Sequence, residues 1–270
     1  MKKEKKHTGI KILFVFIIIV IGIYLYGRYI NPYNFTVKER AIYDELLPEN
    51  FNGLKIAHFS DLHFMRTTKE EQLKKVVNEL NKLNPDIVIF TGDLLDQDIN
   101  EKTKDILIKQ LKKINAKFAK FAIIGDYDEK YINSYSDILT KSEFTILDNS
   151  SKLIYYNNST PINFIGLTNK DKINELFNNP YYNISLFHKP DLIKEISKPT
   201  LAFAGHSLGG QIRIPFMGGI RKTPGAETYF EEYYQIDNQK LYISNGIGTE
   251  KISIRLFNTP SISLYRLYKN

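Results

Sequence analysis

At 270 residues with 43% hydrophobic content, the chain can bury one large core, or one catalytic domain with a short appendage. Cysteine is absent, which excludes disulfides, thiolate metal ligands and a cysteine nucleophile. The net charge is +7, but Lys2, Lys3, Lys5, Lys6, Lys11 and Arg28 against Glu4 carry five of those charges; the +2 left for residues 29–270 does not indicate a nucleic-acid groove.

In chain order, residues 1–11 form a basic segment and residues 12–27 a candidate transmembrane anchor. Ile12 to Tyr26 reads ILFVFIIIVIGIYLY, without a charge. The run is short of the roughly 20 residues that span a bilayer comfortably, and Ile10, a snorkelling Lys11 and Gly27 extend it. The exit sequence YLYGRYINP has no small residues in an A-x-A arrangement, so an uncleaved helix is favoured over a signal peptide. Positive residues before the run outnumber Arg28, Lys38 and Arg40 after it. That bias predicts a single-pass cell-membrane protein with a cytoplasmic N-terminus and an extracytoplasmic catalytic domain. Residues 28–52 read as a linker with a candidate strand from Thr36 to Ala41, and residues 53–270 as the catalytic domain.

Leu54 to Phe59 is a first apolar strand. Thr68 to Glu71 fits a capping box, after which Leu73, Val76, Val77, Leu80 and Leu83 recur at helical spacing until Asn84 and Pro85. Ile87 to Thr91 is a second strand, Lys102 to Ile114 a helix with Leu107, Leu111 and Ile114 on one face, and Phe118 to Ile124 a third strand. This alternation predicts βαβ crossovers and a mainly parallel first sheet. Beyond it, strands are expected at 144–147, 153–156, 162–166, 182–187, 201–204, 241–244 and 261–267, with one short helix from Asp171 to Phe177.

Acidic residues and histidines follow several of these apolar runs. Asp61 and His63 lie in FSDLH, Asp93 in FTGD, Asp126 in IIGDYD, His188 in SLFHKPD and His206 in FAGHSLGGQ. One Asp after a strand is ordinarily a turn residue. Together they differ, because the carboxyl ends of strands in an α/β sheet face one crevice and bring distant residues together. Six oxygen and imidazole ligands can hold two divalent ions, and such a pair activates water against phosphate esters. His58 is expected to support the site by packing or hydrogen bonding. Arg213 and Arg255 are candidate phosphate ligands, with surface ion pairs as the competing reading. Phe216, Tyr229, Phe230, Tyr233 and Tyr234 suit either an acyl or membrane-facing groove or ordinary core packing.

In that order, DLH, GD, a GN(H)D-like turn, a lone His before Pro-Asp and a GH-x-x-GGQ turn resemble the calcineurin-like metallophosphoesterase family. AGHSLGGQIRIP and SNGIGTEKISIRLFNTPSISL are similar to its bacterial membrane-anchored branch, and the likeness runs from Gly53 to about Leu267. It implies a two-sheet α/β sandwich flanked by helices and two divalent ions, manganese, iron or zinc. Asp61 and His63 would bind the first ion, Asp93 would bridge both, and Asp126, His188 and His206 would bind the second. A shared water would act as the hydroxide nucleophile.

The chain departs from the family pattern at three positions. It has Asp126 where the family has Asn, Tyr127 where the family has a catalytic His, and Leu208 where a second His follows His206. Asp126 adds charge to the second site, whereas Leu208 cannot ligate, which leaves the first site weak unless Asp96 or Asp128 contributes. A phenol is a poor acid near neutral pH, so Tyr127 predicts a preference for good leaving groups, as in pyrophosphates and aryl esters. The expected function is a membrane-anchored phosphodiesterase or pyrophosphatase acting on a phosphorylated small molecule or lipid-linked substrate. The alternative is a catalytically weakened sensor or scaffold that still binds metal or a phosphorylated ligand.

Overall fold

The computed structural model describes residues 2–157 and 160–270, and the side chains of residues 1–8, which carry most of the basic segment, lie outside the described residues. Helix α1 spans Lys2–Tyr29 and is followed by strand β1 (Thr36–Asp44), β2 (Leu54–Phe59), α2 (Glu70–Lys82), β3 (Ile87–Phe90), α3 (Glu101–Leu111), β4 (Ala119–Ala122) and α4 (Ile132–Lys141). The second half contributes β5 (Thr145–Ile146), β6 (Ser150–Ile154), β7 (Ile162–Leu167), α5 (Ile173–Leu176), β8 (Tyr182–Phe187) and β9 (Thr200–Ala204). It continues with β10 (Arg213–Ile214), β11 (Gly218–Gly219), β12 (Tyr233–Ile236), β13 (Gln239–Ile243) and β14 (Ser261–Lys269).

Two six-stranded sheets form, in the orders β1-β14-β2-β3-β4-β5 and β12-β13-β9-β8-β7-β6, with β10 and β11 as a separate pair. The strands β2 to β5 are parallel, as the alternation of strand and helix predicts. Period-two alternation in β3 explains the layering. Ile87 and Ile89 turn into the core shared with Phe164, Ile184 and Phe203 of the second sheet, while Val88 and Phe90 turn outward onto Leu73, Val77, Leu107 and Ile138 of the helices. Each such apolar side chain contributes about 1.5–3 kcal/mol on burial, so a one-residue slip of β3 would forfeit both layers at once.

Several local expectations change. No capping box forms at Thr68: its backbone pairs with Phe64 and Met65, its Oγ1 is buried without a hydrogen-bond partner, and α2 begins one residue later, after Lys69, which makes no side-chain cap. The α3 cap is Asn100, whose side chain accepts from the Thr103 amide at 2.9 Å. α4 was not expected, since INSYSDILTK has few apolar residues; Tyr135, Ile138 and Leu139, at helical spacing, suffice to seat it.

The segment read as a linker, residues 28–52, is largely built into the domain. β1 runs nine residues, against the six expected, and pairs in parallel with β14 from Thr36↔Ser261 to Asp44↔Lys269. Ile42 is buried, Lys38 and Arg40 meet Glu232, and Leu47 and Phe51 enter the core. Upstream, α1 and the turn after it carry one apolar stretch, Gly9–Tyr33, of mean hydropathy 2.5 and long enough to cross a membrane, exposed over residues 9–26.

Deleting residues 1–29 should therefore leave a cooperatively melting domain, whereas deletion through Glu45 should lower Tm by about 10 °C or abolish folding. Equal melting of the two truncated chains would show that β1 is dispensable.

Candidate metal centre

The ends of β2, β3, β8 and β9 converge. Asp61, His63, Asp93 and His206 all adopt left-handed backbone, with φ of 53, 47, 60 and 67°. Such conformations cost about 1–3 kcal/mol each for non-glycine residues and persist where the surroundings over-determine them. Here Asp61 N donates to Gly92 O (2.9 Å), His63 N to Asp93 O (3.1 Å) and Gly248 N to Asp61 O (2.7 Å). The approach is close enough to demand glycine. A Cβ on Gly205 would collide with Ser60 Oγ and come within 2.8 Å of Asp61 Oδ2, and one on Gly125 would strike the Asp93 amide.

Asp93 is held on all sides. Its amide donates to Asp128 Oδ2 (2.8 Å), its Oδ1 accepts from the Tyr127 amide (2.9 Å), and its Oδ2 lies 3.1 Å from His188 Nε2. The ligand atoms of Asp61, His63 and Asp93 lie within 4.8 Å of one another, and so do those of Asp93, His188 and His206. Asp93 is common to both groups. Asp126 stands at the margin, with Oδ2 3.8 Å from His206 Nδ1 and Oδ1 paired with Lys189 at 2.7 Å.

Each of these histidines uses one ring nitrogen for anchorage. His63 Nδ1 donates to Asp96 Oδ1 (2.6 Å), His188 Nδ1 to the Thr91 carbonyl (2.7 Å) and His206 Nε2 to the Pro224 carbonyl (2.8 Å). Of the other nitrogens, those of His63 and His188 face carboxylates, and His206 Nδ1 lies 3.2 Å from His188 Nε2. His63 Nε2 is buried without a hydrogen-bond partner, 4.0 Å from both Asp61 Oδ1 and Asp93 Oδ2. A buried orphan of this kind, flanked by two carboxylates and oriented from behind by a third, suits a cation of nitrogen and oxygen preference such as manganese, iron or zinc.

The electrostatics agree. Burial opposes protonation of His188, but Asp93, Asp61 and Asp126 outweigh it and raise its pKa to about 10. Burial would raise Asp93, yet His188 and His63 hold its carboxyl well below the usual range. Burial and the nearby Asp93 charge push Asp128 up to about 7.

Asp96 and Asp128, considered as extra ligands, have other duties. Asp96 orients His63 and meets Arg66, and Asp128 accepts from the amides of Asp93, Leu94, Leu95 and Gly125. Leu208 is buried, at φ 49°, and its side chain and Asp61 Cβ both crowd Gly246. Arg213 makes the expected ion pair, 2.8 Å from Glu231. Arg255 does not: it is fully buried, Nε and Nη2 donate to the Gly248 carbonyl, and burial lowers its pKa to about 9 with Asp61 opposing. Tyr229 and Tyr234 pack against the core, with Phe216 fully exposed.

Glu250 was missed. It accepts from Tyr127 Oη at 3.1 Å and pairs with Arg221 at 2.6 Å, beside the His63 ring that Tyr127 meets edge-on. Burial, then Glu250, pushes the phenol up to about 12. Its only sequence signal was a place in SNGIGTEK, far from the other motifs.

Residues 54–237 match the family profile described as Calcineurin-like phosphoesterase. The chain belongs to that family. A Bacillus subtilis (strain 168) protein named "Uncharacterized metallophosphoesterase YkuE" is 31% identical over 91% of this chain and 90% of its own. "UDP-2,3-diacylglucosamine pyrophosphatase LpxG" of Chlamydia muridarum is 25% identical over 83% of this chain and 87% of its own. Membership makes the chain a metallophosphoesterase, and the convergence of Asp61, His63, Asp93, His188 and His206 is where such a protein holds candidate metal ligands together.

His58 supports the metallophosphoesterase site from below: its Nε2 meets Thr91 Oγ1 at 2.8 Å, and the Thr91 carbonyl anchors His188. Burial lowers the pKa of His58 from 6.5 to about 3. Unfolding therefore takes up a proton in that window, so the stability due to neutral His58 is complete above pH 6.5 and is lost as pH falls toward 3. His58→Gln should flatten the fall in stability between those values by about one proton, read from denaturant midpoints against pH. An unchanged slope would mean that His58 is not held neutral.

Proposed function

We propose that this chain is a membrane-anchored, dinuclear metal-dependent phosphohydrolase acting on phosphodiester or pyrophosphate bonds. The observation that carries the reading is the pair of ligand groups sharing Asp93, one of them with a buried, partnerless histidine nitrogen. In it, Asp61, His63 and Asp93 would hold one ion, and Asp93, Asp126, His188 and His206 would hold the other, while Leu208 offers the first site no ligand. Bound dications supply charge against the phosphoryl oxygens and acidify water. The protein's own groups do the rest: Asp96, Thr91 and Pro224 fix the tautomers and ring directions of the histidines, and Lys189 screens Asp126.

Water adds to phosphorus and loses a proton to solvent as the bond to the leaving oxygen breaks, and that oxygen departs with the electron pair. Tyr127 is poorly suited to protonate it, because its hydroxyl already donates to Glu250 and its pKa lies near 12. Phosphate and aryl leaving groups need no such proton. The pyrophosphatase named among the relatives is consistent with that class. The apolar helix and the N-terminal lysines support a single-pass protein with its catalytic domain extracytoplasmic, where a cytoplasmic nucleotide-lipid is not the substrate.

Metal-stripped full-length protein in detergent should hydrolyse bis-p-nitrophenyl phosphate only as manganese is added, and Asp93→Asn should lower turnover by about a thousandfold. Because a metal must displace the proton on His188, manganese affinity should rise by up to about tenfold per pH unit through neutrality, with proton release in calorimetry. Tight binding of one ion without turnover would instead favour a sensor or scaffold. Aryl diesters should outpace alkyl diesters, and Tyr127→His should raise the alkyl rate by about tenfold or more. Equal aryl and alkyl rates in the unaltered protein would remove the leaving-group argument.

A further inference from the structure

Between His206 and the Pro224 carbonyl that anchors it, the chain makes an excursion away from both sheets. β10 and β11 form its stem and Pro215, Phe216 and Met217 its tip. Phe216 is fully exposed, Met217 is 78% exposed and Ile220 57%. Isolated exposed apolar residues are ordinary, but these are grouped. Phe257, 55% exposed, lines one cleft with Ile214 and Phe216, and Ile252 is half exposed nearby in sequence. Lys222 and Lys251, both exposed, border the group in sequence.

The base of this excursion is tied to the apolar helix. Ile212 bridges Leu256, and Arg213 N donates to Leu256 O at 2.9 Å. The adjacent Arg255 N donates to Gly27 O at 2.9 Å in the last turn of α1. Gly27 is packed so closely that a Cβ would lie 3.1 Å from Arg255 O and 3.4 Å from Leu256 Cδ1. Arg28 Nη1 donates to Ser253 O (3.2 Å) and Asn31 Nδ2 to Arg255 O (3.2 Å). One strap, residues 252–258, therefore holds both the end of the helix and the root of the exposed apolar hairpin.

We propose that the hairpin Arg213–Ile220, with Ile252 and Phe257, inserts into the interface of the same bilayer that α1 enters. The apolar tip buries among the acyl chains, beneath the headgroups. Since the excursion that carries the hairpin leaves the fold after His206 and returns at Pro224, whose carbonyl anchors His206, this docking places the candidate centre at headgroup level, facing phosphate esters carried by lipids. That substrate consequence rests on the phosphohydrolase reading; the docking itself does not.

The chain has no cysteine, so Phe216→Cys accepts a single environment-sensitive fluorophore in the full-length protein. In nanodiscs of phosphatidylcholine and phosphatidylglycerol, its emission should shift to the blue and fall about twofold or more with brominated acyl chains. Tyr155→Cys, at an exposed position next to β6, should do neither. Lack of bromolipid quenching at residue 216 would overturn the proposal, and shielding from aqueous quenchers without bromolipid quenching would assign the patch to a second copy or another protein. Phe216→Ser with Met217→Ser should also lower, by about tenfold, the ratio of turnover on a polyprenyl diphosphate in vesicles to turnover on a soluble aryl diester. An unchanged ratio would overturn delivery from the membrane. Should the unaltered protein hydrolyse neither compound, the phosphohydrolase reading fails while the quenching still decides the docking.

Discussion

The site depends on fixing one carboxylate, Asp93, at a point where two sheets bring their strand ends together. Its backbone is left-handed, its amide and the next two are held by Asp128, and both of its own oxygens are occupied. Nothing larger than hydrogen fits at Gly125 or Gly205, because the turns after β4 and β9 come into contact with the residues they serve. The strain stored there is offset by the two cores, which bury alternate faces of the same strands.

Taking so many ionisable groups out of water costs several kcal/mol per unpaired charge, and the fold meets that cost in a graded way. Burial alone shifts His58 toward its neutral form. Beside Asp93 and Asp61, His188 is shifted toward its protonated form, and burial and Asp93 push Asp128 upward. Each anchored histidine nitrogen has a partner that belongs to a different loop, so the ligand set cannot loosen one member at a time. This is the arrangement expected when dications replace protons as the compensating charge.

The fold and the chemistry were legible to different depths. Strands β3 and β8 and the ligand motifs stood out because short apolar runs ending in GD, FH or GH combine strand periodicity with turn chemistry, and five of the six candidate ligands converge in the two groups. Asp126 was harder to place, since Lys189 draws one of its oxygens away. β1 is legible only in part, as a candidate strand from Thr36 to Ala41 inside a linker, because its pattern lacks a continuous apolar face; only Ile42 is buried, and its partner β14 lies more than two hundred residues on. Glu250 and Arg255 were unreadable for the same reason. A lone Glu or Arg reads as surface until tertiary contacts bury it, and here the contact is with Tyr127 in one case and Gly248 in the other.

The C-terminal strap joins these observations. Gly248 donates to the Asp61 carbonyl, its own carbonyl receives the Arg255 guanidinium, and the Arg255 amide donates to Gly27 at the end of the apolar helix. Glu250, in the same stretch, holds Tyr127 and Arg221. A buried guanidinium bound to a single carbonyl, with Nη1 unpartnered, is a poor contributor to stability by itself. It is better understood as a spacer: the planar fork sets the distance between the Gly248 turn under Asp61 and the chain that grips the helix. Through three hydrogen-bonded steps, one short piece of backbone links the geometry of a candidate ligand to the position of the apolar helix.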